Sequence, residues 1–236
     1  MNINIYQGKT NLEHSDVNII IDVIRAFSVS FFAFKRHVDK IKLVNLEEEA
    51  LLAKKKYPNS LLSGEVAGYK IDSFDFGNSP YEVSSKDLSG KTLIQTTTTG
   101  VAVALASLNA SHVIVTGFNN AYSTALYVKD LLTTLNKESV TVNIIASHPD
   151  GREDFACAKY IEKLLLDDFS SIQKIEEETS SIILNSQAAK KFLDTSNNDF
   201  SILDLLMCAS PFKSEFIMEV KMEGGNLPVI IKKNRV

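Results

Sequence analysis

The sequence predicts an α/β protein in three layers, with a mostly parallel central sheet between helices and a helical plus hairpin C-terminal part. Three observations carry this expectation. "VNIIIDV" (17–23) is a continuous run rich in β-branched residues, as a strand buried on both faces requires. Short apolar runs of the same kind recur along the chain. Segments with helical spacing of apolar residues follow several of them, and such β-α repetition packs helices on both faces of a parallel sheet.

In chain order, "RAFSVSFFAFKRH" (25–37) has helical spacing directly after the first strand. "KIKLVN" (40–45) then precedes "LEEEALLAKKKY" (46–57), whose acids come first and lysines last, in accord with the helix dipole, until Pro58 stops it. "SLLSGE" (60–65), "KTLIQT" (91–96), "SHVIVTG" (111–117) and "VTVNIIAS" (140–147) read as further strands. "GVAVALASLNA" (100–110), "AYSTALYVKDLLTTLN" (121–136) and "EDFACAKYIEKLLLDD" (153–168) read as the helices after three of them. From about 176 the rhythm changes to two helical segments, "SIILNSQAAKKFLDT" (181–195) and "DFSILDLLMCAS" (199–210). "FIMEVKMEGGNLPVIIKK" (216–233) closes the chain as a hairpin turning at Gly224-Gly225. No low-complexity linker separates these parts, so one domain over residues 1–236 is expected, its C-terminal part packing on the same sheet.

Composition narrows the function classes. Hydrophobic residues make 44% and charged residues 23%, the balance of a folded globular chain. A net charge of −4, with lysines interleaved among acids, offers no basic stripe for a nucleic acid. No apolar run approaches the roughly 20 residues of a bilayer span, and "MNINIYQGKTNLEH" lacks a basic start and an apolar middle, so a cytoplasmic protein without a membrane partner is expected. Cys157 and Cys208 lack CxxC spacing and define no disulfide framework. A homodimer is plausible from the general frequency of such assemblies.

Open parallel sheets bind ligands beyond the carboxyl ends of their strands. The residues there are Asp22 and Arg25, Ser63-Gly64-Glu65, Thr96 to Gly100, Gly117 with Asn119 and Asn120, and Ser147 through Asp154. Asp22 with Arg25 reads either as a helix cap with a structural ion pair or as a cation ligand beside an anion clamp. "QTTTTG" reads either as strand and cap or as a phosphate cradle, and it is not a P-loop because GxxxxGK[ST] is absent. Glu65 stands between Gly64 and Gly68 as an exposed turn or a metal ligand, and "FDFGNSP" has turn chemistry with Pro80 stiffening its exit. His14, His37 and His112 read as surface or strand-edge residues, and His148 as a loop residue after a strand.

Taken together, "IDVIRAFSV", "GEVAGYKIDSFDFGNSPYE", "GKTLIQTTTTG", "GFNNA" and "DGREDFACA" stand in the order and approximate spacing of the 2-phosphosulfolactate phosphatase family of coenzyme M biosynthesis, which the chain resembles from about residue 16 to about 220. The resemblance implies a magnesium-dependent phosphatase of three-layer α/β/α fold acting on a small 2-phospho acid. It falls on Asp22, Arg25, Glu65, Asn78, Ser79, Thr97, Thr98, Asn120, Asp154 and Cys157. Asp22, Glu65 and Asp154 are then expected as oxygen ligands for Mg²⁺. Arg25, Thr97 and Thr98 are expected to neutralise phosphate oxygens, Ser79 to contact substrate, and Asn78 and Asn120 to orient substrate or water.

The attacking group is open on sequence. "DVI" puts Ile24 where a dehalogenase-type enzyme has its second Asp, and Lys163 and Ser214 stand where a cysteine phosphatase needs Arg, so metal-activated water is preferred. Cys157 lies in a helical pattern and reads on packing grounds as a small buried hydrophobe. Phe27, Val66, Thr99 and Val101 depart from the family's usual "ATS", "GER" and "TTTNGT". Those departures keep a second expectation in view, a catalytically impaired member that binds small anions.

Overall fold

The computed structural model describes residues 1–135, 137–167, 171–194, 197, 199–224 and 227–234. The first strands are β1 (Asn2–Gln7) and β2 (Ser15–Ile21), followed by α1 (Ala26–Lys35), β3 (Lys40–Leu43), α2 (Glu47–Lys56) and β4 (Leu61–Val66). A short β5 (Tyr69–Lys70), α3 (Pro80–Ser84), β6 (Thr92–Thr96), α4 (Gly100–Ala106) and β7 (Ala110–Thr116) come next. Then come a 3-10 turn (Phe118–Asn120), α5 (Ala121–Thr134), β8 (Thr141–Ala146), α6 (Arg152–Leu165) and α7 (Ile172–Leu184). A second 3-10 turn (Ala188–Leu193), α8 (Ile202–Cys208), β9 (Phe216–Glu223) and β10 (Leu227–Asn234) complete the described elements.

The strands form one sheet in the order β1-β8-β2-β7-β9-β10-β3-β6-β4-β5. All seven residues of β2 are buried, the condition its β-branched run predicts. The period of two sorts them: Val17, Ile19 and Ile21 pack with α5, α6 and α7, whereas Ile20 packs with α1 and α4 on the opposite face. Three layers result, as expected.

Several elements differ from the sequence expectation. β1 went unread: "NINIYQ" alternates polar and apolar residues as a half-buried edge strand does, and it pairs in parallel with β8. The loop 68–82 contains β5 and α3. Pro80 is the first residue of that helix rather than the stiff exit of a turn, and Ser79 caps it by accepting the Glu82 N–H. The segment 181–195 straddles the end of α7 and the second 3-10 turn, and its Thr195 lies outside the described residues. Asn136 and Asp168, the last residues of two expected helices, and Gly225 of the hairpin turn also lie outside them.

The hairpin forms, and its position matters for the site. β9 and β10 are inserted between β7 and β3, with antiparallel pairing on both sides. The block β3-β6-β4 therefore runs opposite to β1-β8-β2-β7, which in a flat sheet would send the two sets of carboxyl ends apart. Five strand steps separate β2 from β6, and at about 20–25° each they accumulate about 100–125° of twist, most of the needed half-turn. The ends meet accordingly: Gln95 of β6 donates to the Ala26 carbonyl and accepts from Ser30 Oγ, both on α1 beyond the end of β2. None of the described helices is long and apolar enough to cross a membrane.

Candidate active site

A cavity of about 620 Å³ opens where the carboxyl ends of β2, β4, β6 and β8 converge. Asp22 follows β2 directly and is 6% exposed, its Oδ1 accepting the Ala26 N–H at 2.9 Å and so starting α1. Glu65 ends β4, with Oε1 accepting the Thr98 N–H at 2.6 Å and Oε2 accepting Thr98 Oγ1–H at 3.1 Å and the Gly68 N–H. Asp154, in the first turn of α6, accepts the Val23 N–H at 2.8 Å through Oδ1, and Ser147 Oγ–H at 3.0 Å and the His148 N–H at 3.1 Å through Oδ2. The Glu65 and Asp154 carboxylates thus act as staples between chain segments, a use that the acid's place after a strand does not reveal.

Four carboxylates meet here, because Glu153 also lines the cavity and is 4% exposed. Neither of its oxygens receives a donor among the described residues. Burial raises the Asp22 carboxyl to about 7, opposed by the Ala26 hydrogen bond and reinforced by the charges of Glu65 and Glu153. Burial and the neighbouring charges of Asp22 and Glu153 likewise push Asp154 well above the usual carboxylate range. Such a cluster stores repulsion that a cation would relieve.

Of the expected site residues, Asp22, Arg25, Glu65, Asn78, Thr98 and Asp154 line the cavity, and Ser79, Thr97, Asn120 and Cys157 do not. Each of these four has a local structural role. Ser79 donates to Asp204 Oδ1 at 2.7 Å while capping α3. Thr97 Oγ1 accepts the Val101 N–H at 3.0 Å and starts α4. Asn120 is fully buried, accepting from Thr116 Oγ1 at 3.0 Å, and so ties β7 to α5. Cys157 packs among Ile21, Ala158 and Ile161 in the core, where burial holds its thiol protonated.

Arg25 lines the cavity with a guanidinium already engaged by protein. Nη1 donates to the Asp199 carbonyl at 2.7 Å and Asp204 Oδ2 at 3.1 Å, Nη2 donates to the Gly68 carbonyl at 2.8 Å, and the rings of Phe192 and Phe200 each lie 5.1 Å from its carbon. Its charge is paired with Asp204. Among the departures from the family pattern, Thr99 lines the cavity. Phe27 and Val101 are core residues and Val66 is 60% exposed, so these three do not reshape an anion pocket.

Sequence reasoning gave no role to Glu153, Lys190 and Lys191, all of which line the cavity. An acid in the first turn of a helix reads as dipole compensation, and surface lysines as solvation, so neither signals a site. His148, read as a loop residue, also lines it and accepts the Asp150 N–H through Nδ1, which in the neutral ring leaves Nε2 as the donor.

Gly100 gives a direct probe of the geometry. An added Cβ would overlap Asp22 Oδ2 and lie 2.8 Å from Ala26 Cβ. Gly100→Ala is expected to displace the Asp22 carboxylate and lower turnover by about a hundredfold, as ångström-scale misplacement does, with the helix content of the circular dichroism spectrum unchanged. Full activity in that variant would remove Asp22 from the chemistry.

Among the described residues, no group of three His, Cys, Asp or Glu side chains is arranged to hold a metal ion unaided. The donor set fits a looser arrangement. Mg²⁺ keeps several waters and takes one or two carboxylates together with substrate phosphate. Asp22 Oδ2 and the Glu153 carboxylate remain for it, and Asn78 Oδ1, also in the cavity wall, is a buried acceptor without a partner. An orphaned acceptor of this kind costs about 1–3 kcal/mol unless a donor or a hydrated ion fills the space.

Comparison with known proteins identifies the chain's relatives. A family model described as 2-phosphosulpholactate phosphatase matches residues 4–219. A relative from Bacillus subtilis, named probable 2-phosphosulfolactate phosphatase, is 40% identical over 227 residues, covering 95% of this chain and 96% of its own. A relative of the same name from Clostridium acetobutylicum is 32% identical over 163 residues, covering 69% of this chain and 68% of its own. With the match spanning nearly the whole sheet and all four buried acids of the cavity, the chain belongs to the 2-phosphosulpholactate phosphatase family.

Proposed function

We propose that this protein hydrolyses the phosphate monoester of a small 2-phospho acid, of the class of 2-phospho-3-sulfolactate, releasing 3-sulfolactate and phosphate with the help of Mg²⁺. One observation carries the reading: four buried carboxylates converge on one cavity in a chain of a phosphatase family. An anionic phosphate cannot approach such a cluster unless positive charge is placed between them.

Asp22 and Glu153 would hold the ion, with Asn78 Oδ1 accepting from its waters. When bound, Mg²⁺ supplies positive charge against the phosphate oxygens and acidifies a water for attack. The remaining residues fix the arrangement. Glu65 locks the Thr98 turn to the Gly68 turn, and Asp154 holds the ends of β2 and β8 against α6. Thr99 and His148 Nε2–H, both in the cavity wall, would donate to phosphate oxygens as charge spreads in a loose transition state.

A phosphate-release assay tests this directly, using 2-phospho-3-sulfolactate and related phospho acids with Mg²⁺ and with a chelator. Release that falls to background on chelation is the expected result. Release indifferent to the chelator would overturn the metal assignment, and no release from any of these acids would overturn the activity.

A further inference from the structure

The cavity is electrostatically divided. One wall carries the buried Asp22, Glu65, Glu153 and Asp154, and the exposed Asp150 also lines the cavity. The second 3-10 turn contributes Lys190 and Lys191 to the lining, and both side chains are exposed at the mouth. Among the described residues neither lysine has a carboxylate partner. Lys191 Nζ instead lies over the Phe200 ring, 5.5 Å from its centroid, and close to Gly68.

This turn is held firmly in place. Phe192, the residue after Lys191, is 2% exposed and packs edge-on against Phe200, and both rings stack on the Arg25 guanidinium. The Arg25 charge is matched by Asp204, so in this part of the lining the cations left unmatched are the two lysines. Two neighbouring lysines on an anchored turn make a cationic patch that favours anions. We infer that Lys190 and Lys191 are the specificity determinants of the site, gripping the anionic groups of the substrate other than the phosphate, its carboxylate and sulfonate.

This inference rests on the proposed function for its substrate class, and it deepens that reading by separating the site into two halves. The acidic wall would hold the ion that faces the phosphate, whereas the lysine turn reads the acid portion directly. Substrates with only one anionic group would gain nothing from the second half.

The test compares 2-phospho-3-sulfolactate with 4-nitrophenyl phosphate, which lacks the further anions, in the wild type, Lys190→Gln, Lys191→Gln and the double variant. The ratio of KM values for the two substrates is the readout. Because the lysines are exposed, each single change is expected to shift that ratio by roughly three- to tenfold against the sulfolactate ester, with kcat little altered. An unchanged ratio, or equal losses on both substrates, would overturn the inference. Binding of 3-sulfolactate, followed by thermal shift in metal-free buffer, needs no turnover. Stabilisation of the wild type that is lost in the double variant supports the inference even where phosphate release fails. Equal stabilisation of both, or none of the wild type, overturns it even where phosphate release succeeds.

Discussion

Asp22→Asn is expected to lower phosphate release by roughly 10²–10⁴-fold, the scale of losing a central catalytic carboxylate, while making the metal-free protein more stable at alkaline pH. Both effects have one origin. Burial raises the Asp22 carboxyl from 3.8 to about 7 in the folded chain, with Glu65 and Glu153 adding to the rise. Between these values the native state holds a proton that the unfolded chain has already released. Stability therefore falls as pH climbs from about 4 to about 7, and above 7 the whole cost is present. A shift of that size corresponds to about 4 kcal/mol, or a melting-temperature change on the order of 10 °C for a chain of this length. Asparagine keeps the Oδ1 acceptor for the Ala26 N–H and carries no charge, so it escapes the penalty. Its advantage should be small near pH 4, grow through pH 7 and then level off. Urea denaturation at pH 5 and pH 8 without metal measures this. A variant less stable than wild type at pH 8, or one that keeps its turnover, would refute the role given to Asp22. The opposition of stability and activity at one residue is what a repulsive site built for a cation should show.

The sequence carried much of this site because its acids follow strands that are hard to mistake. Once "VNIIIDV" is a strand buried on both faces, Asp22 must emerge at a sheet end, and Glu65 and Asp154 follow from the same reasoning. That the two parallel blocks run in opposite directions was hidden, since the position of β9 and β10 depends on pairings with β7 and β3 some 100 to 190 residues away in sequence. Without the accumulated twist of that sheet, Glu65 and Asp22 would have no reason to meet. Thr97, Asn120 and Cys157 stand outside the cavity for a reason the sequence hides. A buried hydroxyl, amide or thiol has the same identity whether it serves a helix start, a strand-to-helix tie or a reaction, and only its neighbours decide. Lys190 and Lys191 are legible only after the 3-10 turn is folded over the cavity by Phe192 and Phe200.

Asp204→Ala is expected to destabilise the protein by about 3–5 kcal/mol, the cost of leaving a buried guanidinium without its counter-ion. Asp204 is 1% exposed and accepts three donors: Arg25 Nη1 at 3.1 Å, Ser79 Oγ at 2.7 Å and the Tyr81 N–H at 3.0 Å. It thereby joins α8 to the start of α3 and to the chain just beyond β2. Arg25 extends the junction to the Gly68 and Asp199 carbonyls and to the two phenylalanine rings. The loss should be much smaller when both charges are removed together, as in Arg25→Met with Asp204→Ala, because the desolvation cost disappears with the attraction. The KM for the sulfolactate ester should rise in the single and the double variant alike, since either change frees the turn that carries Lys190 and Lys191. Urea denaturation of the two single variants and the double supplies the coupling energy, and phosphate release supplies the second readout. A loss below 1 kcal/mol in Asp204→Ala would mean that the guanidinium finds water or another acid. A double variant with the wild-type KM for that ester would mean that the anchored turn is dispensable. Either result would detach Arg25 from the architecture of the cavity and return it to the role of a free anion clamp.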